Sequence, residues 1–417
     1  MSRVAKDMTP FGDFTMLKAG LRLLTMLLAI AAASAASAAT CATNGAGFAA
    51  WLKDFERQAL ASGISPATVS SALDGLSYAP DVIAKDRAQN VFAQNFLQFS
   101  DRMVAKYRLQ KGAQLIKANA KLFTRIDKDY GVTAPVLVAF WGLETDFGAN
   151  LGDMPTLRSL ATLAYDCRRS DLFRDQLMAA LTVIDRGDLT AAQMKGPWAG
   201  ELGQVQFLAT HYRDFAVDYD GDGKRDLLHS TPDVLASAAA LLVHEGWQRG
   251  QPWLTEVRVP ATLDWSQSDL SVRKSVAEWQ SLGITAAPGS TLGAASLPAT
   301  LILPMGRNGP AFLGYANFDV YLQWNQSFVY ALTAAYYATR LAGAPPVSRG
   351  GNVDGLSFKE VQELQKLLAV RGHPVGKADG MIGSGTRASV RAAQLELGLP
   401  ADGYPDTTLL QKLRAGG

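Results

Sequence analysis

Cysteine and histidine are scarce in this chain of 417 residues, which holds two of the first and four of the second. Cys41 and Cys167 form no Cys-x-x-Cys pair, and His211, His229, His244 and His373 show no paired ligand spacing. Neither a zinc constellation nor a nucleophilic triad can be read from them. Excess charge is missing too. The formal net charge is +2, and residues 1–39 hold four basic side chains (Arg3, Lys6, Lys18, Arg22) against two acidic ones (Asp7, Asp13), which leaves the remainder neutral. Nothing in such a balance attracts nucleic acid. Long apolar runs are confined to residues 23–39, a stretch too short and too alanine-rich to span a bilayer. It follows Lys18 and Arg22 and ends in small residues, so it reads as a secretory signal peptide cut near Ala38 or Ala39, with Met16 an alternative start. The mature chain is thus expected to have no transmembrane anchor. In an exported chain the even cysteine count suggests one disulfide, Cys41 to Cys167, tying the mature N-terminus to the domain and worth roughly 2 to 5 kcal/mol. A lipoprotein acylated at Cys41 is the competing reading. Thr40 opposes it, because such signals carry Gly, Ala or Ser before the cysteine.

What is present is mostly helical in pattern. Hydrophobic residues make up 48% of the chain, enough for two or three domains with a sizeable core. From residue 48 to about 247, Phe48, Trp51, Leu52 and Phe55 recur at helical spacing, as do Leu172, Leu177, Leu181 and Ile184. Between 256 and 303 the texture changes to Val257-Arg-Val259-Pro260, Gly and Pro clusters and Leu301-Ile-Leu303, indicating a small strand-bearing insertion. Helix resumes over 318–341. The stretch 342–352, with its Pro-Pro and Gly-Gly pairs, reads as a linker that few contacts cross. Beyond it lies a module with two amphipathic helices, 358–371 and 386–397, in which Asp379-Gly380 and Gly383 serve turns and Arg387 and Gln394 are free to make contacts.

One acid is placed unusually. In Thr133-Ala-Pro-Val-Leu-Val-Ala-Phe-Trp-Gly-Leu-Glu144-Thr-Asp-Phe-Gly148, Pro135 suits the first turn of a helix, and helical spacing sets Glu144 on the stripe of Leu137, Phe140 and Trp141. Burial disfavours the charged carboxylate, so its pKa should rise toward neutrality, as a general acid requires. Asp146, two residues on, projects about 200° around the helix and does not share the site. A second motif, Asp218-Tyr-Asp-Gly-Asp-Gly223, sets Asp218, Asp220, Asp222, Gly223 and Asp226 at positions 1, 3, 5, 6 and 9 of a calcium loop, with the Lys224 carbonyl at 7. Position 12 is His229 where a bidentate Glu belongs.

Trp141-Gly-Leu-Glu-Thr-Asp-Phe-Gly148, Trp198-Ala-Gly-Glu-Leu-Gly-Gln-Val-Gln-Phe207, the aspartate loop and Trp324-Asn-Gln-Ser327 together resemble the hallmarks of the lytic murein transglycosylase B family, over most of 41–343. Residues 355–417, with Glu360-Val-Gln-Glu-Leu-Gln-Lys-Leu-Leu368, Gly383-Ser-Gly-Thr-Arg387 and Gly398-Leu-Pro-Ala-Asp-Gly403, resemble a three-helix peptidoglycan-binding module. The resemblance implies a mainly α protein: signal peptide 1–39, a lysozyme-like helical catalytic domain 40–343 with a small strand-bearing subdomain, a linker 344–354 and the binding module 355–417. It implies a periplasmic enzyme acting on peptidoglycan glycan strands, with Glu144 as lone acid and base, and no cofactor for the chemistry. By position it gives Gln206 and Asn325 polar roles at the sugar, and it suggests Trp198, Trp324 and Trp141 as faces for sugar rings. Asp233 becomes the ligand that closes a structural calcium site. One departure stands out: Pro197 replaces a serine common in the family. Glu201, within the same motif, is a candidate second carboxylate near the cleft whose simplest reading is a solvated charge. A hydrolytic muramidase is the alternative within the class. A catalytically silent wall-binding protein is the alternative outside it, disfavoured because the Glu144 motif is intact.

Overall fold

The helix that carries Glu144, Ala134–Thr145, is apolar all round rather than along one stripe, and Val136, Leu137, Val138, Ala139 and Phe140 have no exposed surface. A helix of that kind belongs inside a bundle. It lies there in the computed structural model, which describes residues 41–88, 94–351, 353 and 355–416. The signal-peptide segment falls outside the described residues. Pro135 occupies the first turn, where its missing N–H costs nothing. Lys106–Ala118, Ala120–Tyr130, Thr231–His244 and Phe328–Leu341 pack around this helix. Phe48–Ala61, Pro66–Leu73, Thr156–Tyr165, Ser170–Asp185 and Ala209–Phe215 form a neighbouring helical layer, to which the Cys41–Cys167 disulfide pins the start of the described chain. In Ser170–Asp185 the buried face differs from the one read from leucine spacing. Phe173, Gln176, Leu177 and Leu181 point inward, whereas Leu172 is 47% exposed and Ile184 only half-buried, because the large Phe173 ring sets the inward direction.

The strand-bearing insertion is a five-stranded antiparallel sheet. Its order is Lys274–Ser275, Pro298–Ile302, Phe312–Tyr315, Leu254–Arg258, Thr285–Ala286. Phe312–Tyr315 lies beyond the stretch that read as strand; it pairs with both long strands, Leu313 facing Leu301 on one side and Thr255 on the other. The sheet has its own core around Trp279, fully buried with its indole N–H donated to the Ala299 carbonyl at 2.9 Å.

The helix read over 318–341 is two helices, Ala316–Trp324 and Phe328–Leu341. Asn325 leaves helical geometry (φ −146°, ψ 118°) and Ser327 caps the second helix. The break is the loop that reaches the candidate site.

The C-terminal module has three helices, Phe358–Val370, Ser384–Glu396 and Thr407–Arg414, around Leu364, Leu368, Val390 and Leu409. Two helix glutamines clamp two Asp-Gly turns in the same way. Gln365 donates to Asp379 and the Met381 carbonyl and accepts from Gly380 N; Gln394 donates to Asp402 and the Tyr404 carbonyl and accepts from Gly403 N. Gln394 is thereby buried and spent inside the module rather than free for other contacts. The segment before the module is also pinned, contrary to the expectation of few contacts. Val347 N donates to Tyr336, Ser348 N to Glu256 and Gly351 N to the Asn308 carbonyl. Among the described residues no helix is long and apolar enough to cross a membrane.

Candidate active site

Glu144 ends its helix at the floor of a cleft whose walls include Pro197, Glu201, Gln206 and His211 on one side and Gln323, Trp324 and Asn325 on the other. Consecutive left-handed residues turn the chain away at once: Asp146 (φ 53°), Phe147 (φ 63°) and Gly148 (φ 84°). Gly148 is needed there, since a Cβ would lie 2.5 Å from Gln204 Oε1. The helix end is tied to the 198–207 motif. Thr145 Oγ1 donates to the Gln204 carbonyl at 2.5 Å, and Trp141 Nε1 donates to Gln204 Oε1 at 2.8 Å. Trp141 is 4% exposed and offers no face to a sugar, so its place among the ring-stacking residues is corrected: its indole serves the core and the motif loop.

Glu144 accepts two hydrogen bonds, both on Oε1, from Trp324 Nε1 at 2.9 Å and from the Tyr330 hydroxyl. No described residue donates to Oε2, and that oxygen is not buried, so it is the one that opens to the cleft. A proton on this carboxyl therefore rides on Oε2, since Oε1 already receives two donors. Burial pushes the pKa of Glu144 up to about 7, against the pull of the Tyr330 and Trp324 donors, which favour the ionised form, and with added repulsion from Glu201. Its surroundings are dense protein even though the cleft leaves it only half-buried by exposure.

Trp324 is half-buried and lines the cleft. Its ring stacks on Phe140 at 4.2 Å, one helical turn before Glu144, and its indole N–H fixes the acid. Tyr330 was not singled out by spacing or motif, although it follows Trp324-Asn-Gln-Ser327 by three residues. Asn325 lines the cleft and accepts from Ser327 N, and Gln206, at φ 51°, lines it from the other wall while donating to the Gly203 carbonyl at 3.0 Å. Trp198 is half-buried against the helical core. Asp146 pairs with Arg108 at 3.2 Å, away from the cleft. Glu201 departs from the solvated-charge reading. It is half-buried on the cleft wall, its Oε2 has no partner among the described residues, and burial raises its pKa. His211 is held below its usual pKa by burial.

In the aspartate loop three of the six residues read as ligands converge: Asp218, Asp220 and Asp222 each bring a carboxylate oxygen within 4.8 Å of the others. That trio fits a hard cation. Asp233, fully buried in the first turn of Thr231–His244, instead accepts from Tyr219 N, Asp220 N and Asp226 N and so braces the loop from beneath. Buried backbone N–H groups need such an acceptor. Asp226 is likewise engaged, with Leu228 N, His229 N and the His229 ring, and Lys224 N donates to Asp222.

Residues 47–339 match the family model described as Transglycosylase SLT domain, and 359–413 match the model described as Putative peptidoglycan binding domain. The chain is 26% identical over 238 residues to Membrane-bound lytic murein transglycosylase B of Escherichia coli (strain K12), which is 57% of this chain and 64% of that protein. The chain therefore spans slightly less than two thirds of that curated relative. SltB3 from Pseudomonas aeruginosa, solved in complex with NAG-anhNAM-pentapeptide, superposes with a TM-score of 0.83 at 41% identity, covering 89% of this chain and all of that one. SltB1 from the same organism, at 22% identity and TM-score 0.62 over 70% of this chain and 98% of its own, shares the fold.

Proposed function

The chain belongs to the Transglycosylase SLT domain family, and on that premise we propose that it is a lytic transglycosylase of peptidoglycan, exported to the periplasm, with Glu144 as its acid and base. The observation that carries this reading is the pair of donors on Glu144 Oε1, which leaves Oε2 as the protonated oxygen facing the cleft. Glu144 donates its proton to the glycosidic oxygen between N-acetylmuramic acid and N-acetylglucosamine, and the bond from that oxygen to C1 breaks. The muramoyl 6-hydroxyl oxygen bonds to C1, its proton passes to Glu144, and a 1,6-anhydro end results. Intramolecular attack carries a large effective-molarity advantage, so no second carboxylate is required as nucleophile. Gln206, Asn325 and Trp198 position sugar, and residues 359–413 bind wall.

The test is the pH dependence of cleavage of purified sacculi. Glu144 must start protonated, so activity is full below its pKa and falls as pH rises through about 7. Glu201→Gln removes a like charge and is expected to move that limb to lower pH. Tyr330→Phe removes a donor to the ionised form and is expected to move it to higher pH. A limb that stays put in both variants would assign the titration to another group.

Asp218, Asp220 and Asp222 are proposed to hold a structural calcium ion, remote from the bond cleaved. Calcium is then expected to raise the melting temperature, by roughly 2.7 kcal/mol of stability at a hundredfold excess over its dissociation constant. EDTA should reverse the shift. If Asp218→Ala/Asp222→Ala melts like the wild type with and without calcium, the loop is only a turn.

A further inference from the structure

Of the contacts between the C-terminal module and the catalytic half, one arginine reaches toward the active site. Arg387 lies on Ser384–Glu396 and donates through Nη1 to the Leu303 carbonyl at 3.1 Å and through Nη2 to the Pro304 carbonyl at 2.5 Å. Its guanidinium carbon also sits 5.3 Å from the Phe328 ring centroid and 5.7 Å from that of Tyr404. Leu303 and Pro304 follow a strand of the sheet, and Tyr404 belongs to the module. Phe328 is the first residue of the helix that carries Tyr330. One side chain thus joins three bodies, and a planar fork is the group suited to two carbonyls and two ring faces at once.

The cleft loop Asn325–Gln326–Ser327 has two anchors. At one end Trp324 stacks on Phe140 and bonds Glu144; at the other, Phe328 lies under Arg387. Two residues past Phe328, Tyr330 donates to Glu144. We infer that Arg387 is a positioning residue for the reaction at Glu144: through Phe328 it fixes the Asn325–Ser327 loop and the Tyr330 hydroxyl, so the docked wall-binding module completes the active site. The inference rests on the transglycosylase reading given above. The docking itself has independent supports. Arg391 donates to the Ser268 carbonyl at 2.8 Å and pairs with Asp269, and Asp402 accepts from Arg307 N at 2.9 Å. Loss of the Arg387 side chain therefore leaves the module in place while releasing Phe328.

The test uses the full chain with a soluble murein fragment too short to reach the module's outer surface. Arg387→Ala is expected to lower kcat about tenfold, since small misplacements at a catalytic group are costly, with KM raised less than kcat falls, because Asn325 is loosened with the loop while Gln206 on the other wall is untouched. Arg387→Lys, a point charge that reaches one carbonyl, restores only part of it. Arg414→Ala, which breaks the surface pair with Glu363 elsewhere in the module, is expected to match the wild type. Carbon-13 NMR titration of the Glu144 carboxyl reads the same positioning without turnover, and a loosened Tyr330 donor should move that titration to higher pH in Arg387→Ala. Wild-type kcat and an unmoved titration in Arg387→Ala would overturn the inference and leave the function standing. A wild type that cannot cleave the fragment, with the titration still shifted by Arg387→Ala, would reject the function and keep the positioning role.

Discussion

Glu144→Gln is expected to fold normally and to lose roughly three orders of magnitude in the release of soluble fragments from sacculi, the range that one general acid and base contributes. The amide still accepts from Trp324 and Tyr330 through its oxygen, so the local hydrogen bonds persist. It cannot give up and regain a proton. Stability supplies an independent check. The folded value near 7 lies above the unfolded value of 4.5, so the native state binds the extra proton between them, and wild-type stability declines as pH rises across that window. Glutamine carries no charge to bury, so the variant should melt at or above the wild type when both are scanned above pH 7. Asp146→Asn, which touches only the Arg108 pair, should retain most of the activity. A folded Glu144→Gln protein with more than a few per cent of wild-type activity would remove Glu144 from the chemistry.

Glu144 was legible because a carboxylate at an apolar helical position is a local anomaly that Leu137, Phe140 and Trp141 expose. Its donors were less so. Trp324 and Tyr330 lie 180 and 186 residues away, and no spacing rule connects a helix to a loop at that range. Tryptophans illustrate the same limit: Trp141 and Trp324 look alike in sequence, yet one gives its N–H to Gln204 in the core and the other to the acid. The break at Asn325 was hidden because the apolar pattern continues through it. In the aspartate loop the sequence supplied more acids than converge, since Asp233 satisfies backbone N–H groups that carry no side-chain signature. Arg387 was read as free for the same reason, its partners Leu303 and Pro304 being carbonyls. The helical and strand-bearing regions, in contrast, follow from composition and period alone, although the strand Phe312–Tyr315, the helix break, the short pair Met154–Pro155 and Lys195–Gly196, and the module helix Thr407–Arg414 escaped.

Digestion of sacculi in water enriched in heavy oxygen is expected to yield fragments that end in 1,6-anhydro-muramic acid, one water lighter than hydrolysis products and free of the label. The expectation follows from where the groups stand. On the proposed reading, the oxygen of Glu144 that no described donor occupies delivers a proton to the leaving oxygen and then, ionised, accepts one from whichever nucleophile attacks C1. The 6-hydroxyl is tethered to the same sugar and has the effective-molarity advantage over bulk water. The opposing case also has a residue behind it. Glu201 lines the same cleft, and although its unpartnered Oε2 is buried, a carboxylate on that wall could hold a water against C1 through its other oxygen. The two outcomes differ in the product itself: hydrolysis writes heavy oxygen into a reducing end that borohydride reduces, whereas internal attack leaves an unlabelled end that resists it. If labelled, reducible ends predominate, the enzyme is a muramidase. Glu201→Ala would then be expected to abolish the label together with the turnover, whereas in the transglycosylase it changes the pH dependence and leaves the anhydro product unaltered.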